Sequence, residues 1–157
     1  MSRDSLLTYL NDHLAGSIAA VELVELLLGT SPDSESELYH RIRQEIEEDQ
    51  RVLQRIIERL GGKESRVRKA AAWLTQKLGR AKFQVDDPGD GELHTLEALE
   101  ALCLGIQGKL ALWRSLEAVG VLPEMEPLDL AGLQRRALDQ FERVDRLRLE
   151  AAQTAFA

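Results

Sequence analysis

Residues 38–60, LYHRIRQEIEEDQRVLQRIIERL, constrain the fold more than any other stretch of this chain. At helical spacing Leu38, Ile42, Ile46, Leu53, Ile56 and Leu60 fall on one stripe, with Val52 on its flank. The stretch therefore predicts an amphipathic helix that must bury this stripe against other helices. Asp49 stands inside the stripe, where an apolar residue is expected, and Glu45 lies one turn earlier on the same face. An ionised carboxylate turned toward a core is costly unless cations or hydrogen-bond donors meet it. Glu45 and Asp49 are thus the first candidate site residues.

The remaining composition supports a helical partner set. Of 157 residues, 44% are apolar and only 4% aromatic, so the core is expected to be leucine, isoleucine, valine and alanine. Runs rich in Ala, Leu, Glu, Arg and Gln favour helix, and no useful alternating strand pattern breaks them. The length suits one domain over 1–157. A formal charge of −7 argues against nucleic-acid binding, because the phosphate term would be repulsive. A single cysteine, Cys103, excludes an internal disulfide framework and fits a reducing compartment. Arg3, Asp4, Asn11 and Asp12 interrupt any early apolar run, so no signal peptide is expected. The apolar runs also fall short of a membrane span. The expectation is a cytoplasmic protein.

Taken in order, the chain predicts four long helices. The first covers 5–28, with Leu7, Leu10, Leu14, Val21, Val24 and Leu28 at heptad-like spacing and Gly29 as its stop. Gly16, Ser17, Ala19 and Ala20 form a small-residue middle, and Glu25 borders the stripe. A polar loop then leads to the second helix, which ends at Gly61 and Gly62. Residues 63–91 read as a connector with a short amphipathic helix and a turn-rich DDPGDG stretch. Residues 63–82 carry seven basic residues against the single Glu64; this basic face either packs on the acidic bundle or faces water, or, through Lys69, Lys77 and Arg80, it presents a docking surface to an acidic partner or anionic lipid. The third helix covers 92–118, with a strip of small residues, Ala98, Ala101, Gly105 and Gly108, that suggests close packing between subunits of a homodimer. The last helix covers 128–156. One of its faces holds Leu138, Glu142, Asp145, Leu149, Ala152 and Phe156; the adjacent face holds Leu133, Ala137, Phe141, Val144 and Ala151. A shift of 96 positions places Asp49 on Asp145 and Leu53 on Leu149, which suggests two related hairpins.

Four long helices with one long central connection predict an all-α four-helix bundle with a crossover. The stretches YLNDHLAGS (9–17), LGIQGKLALWRSL (104–116) and RVDRLRLEAA (143–152) resemble uncharacterised bacterial ferritin-like proteins, a group related to ferritin-like stress-response proteins of unknown function. The resemblance covers nearly the whole chain and implies a ferritin-like, up-down-down-up bundle. It also implies what to look for in the centre. Active members hold two iron or manganese ions with one Glu from each of two helices and Glu-x-x-His from the other two. No Glu-x-x-His occurs here. Glu45-x-x-Glu48 with Asp49, and Glu142-x-x-Asp145, are the nearest matches; Glu25 on the first helix and Glu97 or Glu100 on the third could complete a set.

Two readings of Glu25, Glu45, Asp49, Glu142 and Asp145 follow. Either they bind iron or manganese, as an oxidase or storage protein would, or they pair with Arg and Lys from neighbouring helices in structural networks. His13, His40 and His94 do not restore the missing motif. No phosphate-binding glycine loop, zinc spacing or nucleophile elbow is present. The favoured expectation is a non-catalytic ferritin-like bundle, with the carboxylate-bridged di-metal protein and the acidic-partner adaptor as alternatives.

Overall fold

The computed structural model describes residues 2–62, 91–120 and 128–157. They form four helices: α1 (Arg3–Thr30), α2 (Asp33–Arg59), α3 (Glu92–Val119) and α4 (Leu130–Ala155). No strand occurs among the described residues. The all-α expectation holds.

Local chemistry sets the helix ends. Ser2 caps α1 by accepting from the Ser5 amide, and Asp129 caps α4 by accepting from the Gly132 amide at 2.7 Å. Gly120 ends α3 in the left-handed region at φ +61, where a side chain would be strained. The Arg3 guanidinium donates through Nε to the Leu60 carbonyl at 2.7 Å, so the start of α1 satisfies an orphan carbonyl at the end of α2. The first hairpin is tighter than its sequence suggests. Helix α1 runs through Gly29 to Thr30, and only Ser31 and Pro32 separate it from α2. Proline fixes its own φ at a helix-compatible value just ahead of the first turn, and Asp33 and Glu35 place negative charge at the positive end of the α2 dipole. The expected polar loop is therefore mostly helix.

The core falls into two apolar halves. In one, Val24 and Leu27 of α1 meet Tyr39, Ile42 and Ile46 of α2, Leu99 and Leu102 of α3, and Val144 and Leu147 of α4. In the other, Leu10 and Leu14 meet Leu53, Ile56 and Ile57, then Leu112, Trp113 and Leu116, and Leu133. The end of α1 that packs on the start of α2 therefore also packs on the start of α3 and the end of α4. Tyr39 is sealed in the first half, where its hydroxyl donates to Glu35 at 3.1 Å and burial pushes its pKa up to about 12.

On α2 the buried residues are those of the expected stripe, joined by Tyr39 and Ile57, with Leu38 and Leu60 at its edges. On α4 the outcome differs. Leu133, Ala137, Gln140, Val144 and Leu147 face inward, while Leu138, Leu149 and Phe156 are 44%, 51% and 74% exposed. The adjacent face is the core face. The 96-residue register therefore pairs buried Leu53 with exposed Leu149 and is not matched by burial. Helix α1 is, by length and composition alone, apolar enough to cross a membrane, with mean hydropathy 1.4 over its most apolar window. Its apolar residues recur at helical spacing instead of forming one run, and both core halves draw on them.

Candidate functional site

Between the two apolar halves lies a layer of charge. Asp49 follows Ile46 of one half and precedes Leu53 of the other by about one turn each, and it is 3% exposed. Its Oδ2 is 2.7 Å from Lys109 Nζ on α3, and its Oδ1 accepts from Arg136 Nη2 on α4. Arg136 also donates through Nη1 to Glu48 at 3.1 Å. One turn earlier on α2, Glu45 Oε2 accepts from Arg143 at 2.7 Å and from the Gln140 amide at 2.8 Å. Gln140, itself fully buried, closes the set by accepting from Lys109 Nζ through Oε1. Three carboxylates thus meet three cations around one amide, tying α2 to α3 and α4.

The electrostatics are those of a desolvated ion-pair cluster. Burial pulls the Lys109 pKa below its ordinary value, and Asp49, the next largest influence, opposes that fall. Asp49 is thus the group that most favours the charged form of Lys109. On α1, burial lowers the His13 pKa against the opposing charge of Asp12, which favours the neutral ring, and that ring packs edge-on against Tyr9 with centroids 4.6 Å apart.

The five carboxylates weighed as metal ligands do not share one place. Glu45 and Asp49 belong to the layer. Glu25 pairs with Arg43 at 3.2 Å on the outside of α1 and α2. Glu142 is exposed, and Asp145 accepts from Arg148 at 2.7 Å one turn along α4. Glu100 joins that second pair, 3.6 Å from Arg148. Among the described residues, no three His, Cys, Asp or Glu side chains converge as a metal site would require. Lys69, Lys77 and Arg80 lie outside the described residues.

The cations were the part that sequence reasoning did not single out. One signal was present. Lys109 occupies the stripe register of α3, three residues after Ile106 and four before Trp113, as Asp49 does on α2. Gln140 likewise stands between Ala137 and Val144 on the core face of α4. Polar residues in stripe positions of three separate helices are complementary in kind, and a core that buries one must bury its partners.

Cys103 is buried among apolar residues, and that burial, with the Asp145 carboxylate nearby, pushes its pKa up to about 11. At pH 8 its thiolate fraction is then about a hundredfold below that of an unperturbed thiol. Native protein is expected to react with a disulfide reagent at least that much more slowly than protein unfolded in guanidinium. Reaction at the unfolded rate would show that the first core half opens freely.

Comparison with protein-family models, with curated proteins and with solved structures finds no match to this chain.

Proposed function

We propose that this chain is a ferritin-like bundle of up-down-down-up topology whose centre is non-catalytic, because an ionic network takes the place of a di-metal site. The contact pattern supports the topology: Tyr9 near the start of α1 meets Ser115 near the end of α3, and Asp49 of α2 meets Arg136 of α4. The observation that carries the reading is the pair of cations, Lys109 and Arg136, on the two oxygens of Asp49.

Those donors do not fit a resident iron or manganese. A metal at Asp49 would sit beside the fixed charge of Arg136 and the amine of Lys109, which is cationic when protonated. Two unit charges 4 Å apart repel by about 4 kcal/mol at an effective dielectric of 20, and a divalent ion doubles that figure for each neighbour. Arg136 cannot yield by losing a proton. Glu45 is no freer, since Arg143 and Gln140 share its Oε2. Such a cluster fixes the register of α2 against α3 and α4, which suits a scaffold or binding protein better than an oxygen-activating one.

Metal content tests this directly. Protein exposed anaerobically to Fe(II) or Mn(II) and then desalted is expected to carry no stoichiometric metal by mass spectrometry. Retention of about two equivalents per chain, abolished by Asp49→Ala, would overturn the proposal.

A further inference from the structure

A cavity of about 360 Å³ opens between α1 and α3 and reaches down to the charged layer. Its two rims are glycine. Gly16 borders it on α1, and Gly105 and Gly108 border it on α3. Beyond the backbone of its own helix and its chain neighbours, a Cβ added at any of the three would meet no described atom within 4 Å. Glycine inside a helix weakens that helix relative to alanine, and the usual compensation is close approach by something else. Here no described part of the chain makes that approach.

The floor supplies a separate argument. Trp113 lines the cavity, is 1% exposed, and its indole N–H has no acceptor among the described residues. Asp49 lines it too, with its Oδ2 held by the Lys109 ammonium at 2.7 Å. A buried donor short of a partner and a carboxylate oxygen with capacity for a further bond therefore border the same space. The rest of the lining is mostly apolar, with Ile46, Leu53, Ile106 and Leu112 among it. A flat partner surface would cover the glycine rims and leave the Trp113 indole, which is 1% exposed, unmet. A small molecule can reach it.

From this geometry we propose that the α1–α3 cavity is a binding site for a small, flat, uncharged ligand with an apolar body and a carboxamide-like edge. The edge accepts from the Trp113 indole and donates toward Asp49, and the body lies between the glycine rims. A carboxylate ligand is disfavoured, since the lining sets Asp12 and Asp49 against Lys109 alone. The volume lies within the usual range for ligand cavities, and apolar walls with few polar groups match their usual lining. This site goes beyond the non-catalytic reading of the centre and does not depend on it: metal content leaves the cavity untouched.

Benzamide is the probe, with toluene and benzoate as controls. The chain has two tryptophans, so ¹⁵N-labelled protein gives two indole signals, and a Trp73→Phe variant assigns the Trp113 signal. Benzamide is expected to move the Trp113 indole signal saturably in the millimolar range, as suits a fragment of its size. Toluene and benzoate should bind about tenfold or more weakly, the value of one good hydrogen bond or one unfavourable charge. Gly105→Leu should fill the cavity and weaken benzamide by at least the same factor while the protein melts no lower than wild type. Gly108→Ala, a smaller change, should weaken it less. Absence of a saturable shift would overturn the proposal, as would equal binding by toluene or by both glycine variants. A Trp113 shift that follows protein concentration without probe would overturn it in favour of a second copy of the chain.

Discussion

Asp49→Ala is expected to lower the free energy of unfolding by about 3–5 kcal/mol, the usual cost of removing one partner from a buried ion pair. For a domain of this length that corresponds to a fall of about 6–20 °C in melting temperature. The loss comes less from contacts removed than from charges left behind. Lys109 would remain buried beside a carboxylate-sized space, and Arg136 would keep only Glu48. The two cations differ in how they can respond. Arginine stays charged, but a buried lysine can shed its proton. Asp49 is the largest influence holding the Lys109 pKa up, so without it that pKa falls further. The unfolded chain then binds the proton more tightly than the folded one, and stability rises with pH between the two values. The deficit of Asp49→Ala should accordingly shrink as pH rises, whereas Asp49→Ala combined with Lys109→Met should show no such recovery. Urea titrations at several pH values check both points. A deficit below about 1 kcal/mol would mean that the layer is solvated and contributes like a surface pair.

How much of this was legible beforehand depended on contrast along each helix. Helix α2 alternates charged and apolar residues so sharply that its stripe, and Asp49 as the exception within it, could be picked out from spacing alone. Helix α4 offered two competing faces. Leu138, Leu149 and Phe156 share an angular position and look like a core stripe, yet they are exposed. The true face includes Gln140, whose polarity counts against burial until Glu45 and Lys109 are known to meet it. That is tertiary information, absent from any one helix. The same limit hid the cations: with 20 basic residues in the chain, pairing could be expected but its members could not be named. The cavity was half visible. The small-residue middle of α1 and the glycines of α3 were evident, but the sequence suggested that they touch a neighbouring helix, and no described residue covers them.

The opposite outcome is expected when the charges leave together. Asp49→Leu, Lys109→Met, Arg136→Met and Gln140→Leu would convert the polar layer into a bridge between the two apolar halves of the core. Buried ion clusters replaced by apolar residues of similar volume commonly leave stability unchanged or raise it by about 1–4 kcal/mol. Glu48, which loses Arg136, is partly exposed and can be met by water, and Glu45 keeps Arg143. The combined variant should therefore match or exceed wild type in chemical denaturation, although Asp49→Leu alone is expected to be damaging. The non-additivity is the informative quantity, because it measures coupling among groups that share one network and vanishes for independent sites. A combined loss equal to the sum of the single losses would mean that each residue acts through its own packing. A stable combined variant would instead show that the charged layer costs the fold stability it could have had. Its retention would then call for a reason other than stability, and register among α2, α3 and α4, together with the polar floor of the adjoining cavity, supplies one.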